Sequence, residues 1–144
     1  MTTQYWLVKQ EPEAYSWTTF VKDRKTIWDG VRNYQARNNL NAMRKGDLVL
    51  FYASVGPKEV QGIVTVAKES FPDPSTEDER WTAVELKVTE TLPSPVTLEQ
   101  IKAEPSLSEI SLIRQSRLSV MPLRKAEFDK IVRLGGSKPP SRKK

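Results

Sequence analysis

The sequence has no cysteine and no histidine in its 144 residues. Without cysteine there is no disulfide and no thiolate metal site. Without histidine the commonest general base and metal ligand is gone, and with it every serine–histidine or cysteine–histidine nucleophile arrangement. Carboxylates alone would then have to act in pairs, and no convincing pair is evident. The run Glu77, Asp78, Glu79, Arg80 reads as a solvated loop. Long apolar runs are missing too: none approaches the ~18 residues that cross a bilayer. The start MTTQYWLVKQ lacks the basic region and long apolar stretch of a signal peptide. These absences set the expectation of a cytoplasmic chain with no membrane contact, no metal, no cofactor and no catalytic residue.

Charge is unevenly spread. The net charge is +5, but Lys130, Arg133, Lys138, Arg142, Lys143 and Lys144 lie in a C-terminal segment without an acid. That segment carries +6, which leaves −1 for residues 1–129. Two internal segments are also free of acids: 30–46, with Arg32, Arg37, Arg44 and Lys45, and 110–125, with Arg114, Arg117, Arg124 and Lys125. Such a distribution suits a grip on a few nucleotides better than a grip on a long duplex.

Hydrophobic residues make up 38% of the chain, enough for one core at this length. YWLVK (5–9) reads as a first strand, and Ser16 as the cap of a short helix through Val21. Ala36, Leu40 and Met43 recur at helical spacing, predicting a helix from about Asn33 to Lys45 that Gly46 stops. Residues 47–54 and 60–70 read as strands joined by a turn at Gly56-Pro57, and 81–92 as a long strand after the loop 71–80. Thr97 and Gln100 have capping-box spacing. A short helix follows within 107–116, then a last strand over 117–123 stopped by Pro122. A helix with Phe128, Ile131 and Val132 on one face ends at Gly135. Without regular βαβ alternation these elements suggest an α+β fold with a curled sheet. One domain over 1–136 and a basic disordered tail over 137–144 complete the expectation, with the chain a monomer.

The segment WDGVRNYQARNNL (28–40) fits neither a core helix nor a plain surface helix. It holds a Trp, a Tyr, two Arg, three Asn and a Gln, the flat rings and hydrogen-bonding forks that read bases and phosphates. It also fits a helix start whose aromatic residues pack into the core. Free backbone amides at a helix beginning near Asn33 could hold an anion. Trp6 and Trp17 read as core. Trp81, at a loop-to-strand junction, fits a pocket mouth or the core equally well.

YWLVKQEP (5–12), WDGVRNYQARNNL (28–40), MRKGDLVLFYAS (43–54), FPDP (71–74) and RQSRLSVMP (114–122) occur in this order in proteins that the chain closely resembles, the EVE domain family. The family belongs to the PUA-like superfamily, with the YTH and ASCH domains. The resemblance implies a PUA-like pseudo-barrel of five to six mixed strands flanked by short helices. It also implies a non-catalytic module that takes a flipped, modified base from DNA or RNA into an aromatic and polar pocket. By that resemblance Trp28 is an aromatic wall, so that Trp28→Ala removes binding and spares the fold. Lys9, Gln10 and Asp29 form the rim. Asn33, Gln35, Arg37 and Asn38 read the base or shape the pocket, and Tyr52 and Ser54 face the same cavity. Phe71, Pro72, Asp73 and Trp81 make an opposing lip, and Arg32, Arg114 and Arg117 hold phosphates. Asn38 and Arg117 fit buried polar networks equally well. The chain departs from many members in having Ala53 where they carry a His, and in its short loop from Pro72 to Arg80. An enzyme or binder acting on a free modified nucleotide or another small metabolite is the alternative.

Overall fold

A computed structural model of the chain describes residues 3–138. Six strands form one sheet in the order β2-β5-β4-β3-β1-β6. In chain order they are β1 (Tyr5–Gln10), β2 (Lys25–Trp28), β3 (Leu48–Ala53), β4 (Glu59–Pro72), β5 (Thr82–Thr97) and β6 (Val120–Leu123). Only β1 and β3 run parallel; the other neighbours are antiparallel. β4 and β5 are the long strands, and their pairing shifts register at four places. Each shift adds local twist and bend, and the accumulated bend curls the sheet.

The sheet does not close, because β2 and β6 are its two edges. The helix α2 (Tyr34–Ala42) spans the opening. It packs on β5 and on β6. Asn39 Nδ2 donates to the Val120 carbonyl in β6 at 2.6 Å, and Arg37 Nη1 donates to the Arg80 carbonyl, just before β5, at 3.2 Å. The curled sheet flanked by short helices is the architecture that the α+β reading anticipated.

The core is continuous. Tyr5 to Val8 are all buried, so both faces of β1 are covered. Trp17, Phe20, Trp28 and Phe51 form one aromatic cluster with ring centroids 5.2–6.1 Å apart. Phe128, Ile131 and Val132 of α5 (Lys125–Leu134) are fully buried, with Phe128 against Tyr5 at 4.8 Å. Trp6 Nε1 donates to the buried Asp47 carboxylate, which also accepts from the Gln4 and Arg44 amides.

Local signals explain most boundaries. Ser16 caps α1 (Trp17–Asp23) by accepting from the Thr19 amide, and Thr97 with Gln100 forms a complete capping box on α3 (Leu98–Lys102). The segment 107–116 yields a single helical turn, α4 (Ser111–Arg114), after a 3-10 turn at Pro105–Leu107.

Three expectations need correction. The helix anticipated to Lys45 ends at Ala42, because Met43 turns extended with ψ 141°. The left-handed Gly46 (φ 94°) instead serves the turn into β3. Pro122 does not stop its strand but sits inside β6 opposite Trp6. An edge strand has a side with no ladder hydrogen bond to lose. The expected basic tail falls mostly on 139–144, outside the described residues; of its first part, Ser137 donates to Glu90.

Candidate functional site

β1 and β3 end side by side, with Gln10 paired to Ala53 and the Ser54 amide donating to the Gln10 carbonyl at 3.0 Å. Their shared end opens into a cavity of about 480 Å³ lined by Lys9, Gln10, Tyr52, Ser54 and Arg117, with Glu11, Lys58, Ser116 and Ser119 around them. That volume falls within the range of small-ligand sites. Lys9 fixes the far wall: its amide donates to Ser119 and its ammonium Nζ to the Ser116 carbonyl at 2.6 Å. Burial pushes its pKa down from 10.5.

The remaining polar groups have spare capacity. Gln10 Oε1 accepts the Glu11 amide at 2.9 Å, which leaves its side-chain NH2 as the free end of the amide. Tyr52 is only 3% exposed, and burial raises its pKa above 10.0, so the hydroxyl stays protonated at neutral pH. Among the described residues that hydroxyl has no hydrogen-bond partner, although it borders the cavity. Arg117 is exposed and pairs with no carboxylate among the described residues.

A smaller cavity of about 250 Å³ adjoins the first and shares Ser116 and Arg117 with it. Asn33 and Gln35, at the start of α2, line it. Asn33 has a further duty as helix cap, accepting the Ala36 amide at 2.9 Å. Lys9, Gln10, Tyr52, Ser54, Arg117, Asn33 and Gln35 therefore converge on one polar, basic groove.

The other anticipated residues lie elsewhere. Trp28 is 4% exposed, with its ring against Phe20 and Phe51, so it is a core residue and not an open stacking wall. Asp29 is exposed and lines neither cavity. Asn38 and Arg117 are both exposed, so neither forms a buried network; Asn38 accepts two hydrogen bonds from Arg37. Phe71, Pro72, Trp81 and Arg37 border a separate cavity of about 390 Å³ and make no lip to the groove.

Asp73 is buried and structural. It accepts from the Gly30 amide, Arg32 Nη1, and the Ser75 amide and hydroxyl. Burial works against its charge, but the Ser75, Gly30 and Arg32 donors win and hold its pKa at about 2. Arg32 is thereby tied to Asp73 at 2.9 Å, and Arg114 to Glu109 at 2.7 Å, so of the three anticipated phosphate ligands only Arg117 is uncommitted. The short loop from Pro72 to Arg80 is pinned by these contacts. Ser116 and Ser119 escaped the residue-by-residue reading, although both lie in the RQSRLSVMP motif. Glu11 was passed over in the same way within YWLVKQEP, and Lys58 carried no comparable signal.

The EVE domain family model matches residues 4–134. The chain belongs to the EVE domain family. Among curated relatives of this EVE domain, mouse thymocyte nuclear protein 1 is 32% identical, with 95% of this chain and 76% of the mouse protein covered. An Agrobacterium tumefaciens crystal structure is 41% identical, with a TM-score of 0.92, and covers 96% of this chain and 97% of its own. The human THYN1 protein, in a crystal structure with 5-methylcytosine-containing DNA, is 29% identical with a TM-score of 0.85. There 95% of this chain and 100% of the human chain are covered. A Zygosaccharomyces rouxii YTH domain, 13% identical with a TM-score of 0.59, shares the fold.

Proposed function

We propose that this EVE domain is a non-catalytic binding module that takes a modified base of DNA or RNA into the groove at the ends of β1 and β3. The observation that carries the reading is the 480 Å³ cavity whose free groups are hydrogen-bond donors beside uncommitted Arg117. Gln10 and Tyr52 address the base edge, Ser54 shapes the floor, Lys9 holds the far wall, and Arg117 meets a flanking phosphate. The complex of the human relative with 5-methylcytosine-containing DNA supports a pyrimidine as the first ligand to test. Glu11 is the one carboxylate lining this cavity, which gives no pair for acid–base hydrolysis.

The test is direct binding of short single-stranded oligonucleotides, each with one modified base or its unmodified counterpart, at two salt concentrations. Wild type is expected to prefer one modified oligonucleotide. Gln10→Ala is expected to lose that preference by ~10-fold or more while keeping its melting temperature, since a donor aimed at a buried polar edge is worth about 1–3 kcal/mol. Equal affinity for all oligonucleotides, or turnover of a free modified nucleotide, would overturn the reading.

A further inference from the structure

Trp81 and Tyr34 stack on the opposite side of α2 from the groove, with centroids 5.1 Å apart and planes 20° from parallel. Tyr34 is 51% exposed, unusual for an aromatic side chain in a small domain. Cations surround the pair. The Arg37 guanidinium lies over the Tyr34 ring at 4.9 Å, and those of Arg32 and Arg80 over Trp81 at 5.5 and 5.8 Å. Nearby, the Lys68 ammonium lies over Phe71 at 5.0 Å. The 390 Å³ cavity beside the stack is bordered by Trp81, Phe71, Arg37 and Arg80, with Glu79 its one acid.

We infer that this face is a second nucleic-acid contact, sequence-tolerant, for an unpaired segment of strand. The cavity walls Trp81 and Phe71 offer a base ring surface, and the cations beside them offer a phosphate charge, without reading base edges. Arg32 and Arg80 are held by Asp73 and Asp78, so they frame the rings. Arg37 and Lys68 pair with no carboxylate among the described residues and are the charges left for phosphate. The groove and this face share α2: Gln35 borders one and Asn41 the other. At ~1.5 Å rise per residue they stand ~9 Å apart along the axis, and a path around a helix ~10 Å across brings this to ~18 Å, about five nucleotides at ~3.4 Å each. One strand can therefore occupy both. That joint occupancy rests on the base-reading proposal; the face itself does not.

Fluorescence gives a selective readout. Trp6, Trp17 and Trp28 are at most 8% exposed, whereas Trp81 is half-buried beside the cavity. The probe is unmodified oligothymidylate of about 10 nucleotides, within the footprint of single-strand binders. It is expected to quench the wild-type emission and to lose affinity with salt. Tyr34→Ala, read by quenching, and Trp81→Leu, read by the anisotropy of end-labelled oligothymidylate because the reporter is gone, are expected to weaken its binding by ~10-fold or more, and Arg37→Gln, which removes a charge and keeps both rings, to flatten the salt dependence. Binding of the modified nucleoside alone should be unchanged in all three variants. Quenching in wild type with no loss in the folded variants would overturn the inference, as would no binding of oligothymidylate, or tighter binding of the same sequence as duplex. If no modified base is preferred but oligothymidylate binding still depends on Trp81, the base-reading proposal fails and this one stands.

Discussion

Trp28 and Trp81 begin alike and end apart. Each stands at a junction between strand and loop, and each is a plausible ring for a base to stack on. Trp28 closes β2 and turns inward onto Phe20 and Phe51; Trp81 directly precedes β5 and turns outward onto Tyr34. The partners decide the outcome. Trp28 meets apolar rings already buried, and Trp81 meets a tyrosine held on an exposed helix face by Arg37 and Arg80. The segment 28–40 contains both fates, because left-handed Gly30 (φ 79°) breaks it between the strand that fills the core and the helix that faces solvent. A ring in a motif is thus a candidate for ligand contact only after its packing is known.

The comparison is broken most forcefully at Trp28. Trp28→Ala would leave a large hole beside Phe20 and Phe51 and is expected to cost about 3–5 kcal/mol. Urea denaturation measures it, and any lost binding should track lost fold. A variant that keeps wild-type stability but cannot bind would return Trp28 to the site. The same cluster can be strained from its far side at Gly62. A Cβ there would lie 2.0 Å from Cζ2 of Trp17, whose indole is anchored to Thr91 Oγ1 at 3.0 Å. Gly62→Ala is therefore expected to cost about 3 kcal/mol, seen as a fall in the urea midpoint.

Much of the fold was legible because local chemistry and burial agreed. Tyr5–Val8 is apolar, with Pro12 soon after, and forms the core of the strand Tyr5–Gln10 that it suggests. The Thr97–Gln100 box and the Phe128, Ile131, Val132 face did the same. β2 was missed because Lys25–Trp28 is a four-residue edge strand with one buried side chain, too short for a period to show. Within the site, Lys9, Gln10, Tyr52 and Ser54 were legible as neighbours because two strand ends carry them. The lip residues Phe71, Pro72 and Trp81 were misplaced because loop order along the chain does not say which side of α2 the loop takes. Asp73 was misassigned for a different reason. Its role lies in the Gly30 amide and the Ser75 hydroxyl, neither of which marks a sequence.

Asp73 sharpens the comparison, since it is what holds the exposed face in place. Its folded pKa of about 2 lies below the ordinary 3.8. A depressed carboxylate stabilises the fold above its ordinary value, and that contribution disappears as pH falls from about 4 towards 2. The loss amounts to about 2 kcal/mol. Measured against pH in urea, it should be missing from Asp73→Asn. An unchanged acid profile in that variant would show that other carboxylates govern the low-pH transition.

The smallest effect falls on the exposed side. Tyr34→Ala removes a half-exposed ring whose stacking partner remains supported by Arg32 and Arg80, and an aromatic pair of this kind contributes ~1 kcal/mol or less. Its urea midpoint should lie close to wild type and its unfolding free energy several kcal/mol above that of Trp28→Ala, although both variants delete an aromatic ring from the same 13-residue segment. If instead Tyr34→Ala destabilised the chain as much as Trp28→Ala, the Tyr34–Trp81 stack would be a structural clamp on the 71–81 loop. Its exposure would then reflect how that loop is fastened to α2, with no ring kept free for a base.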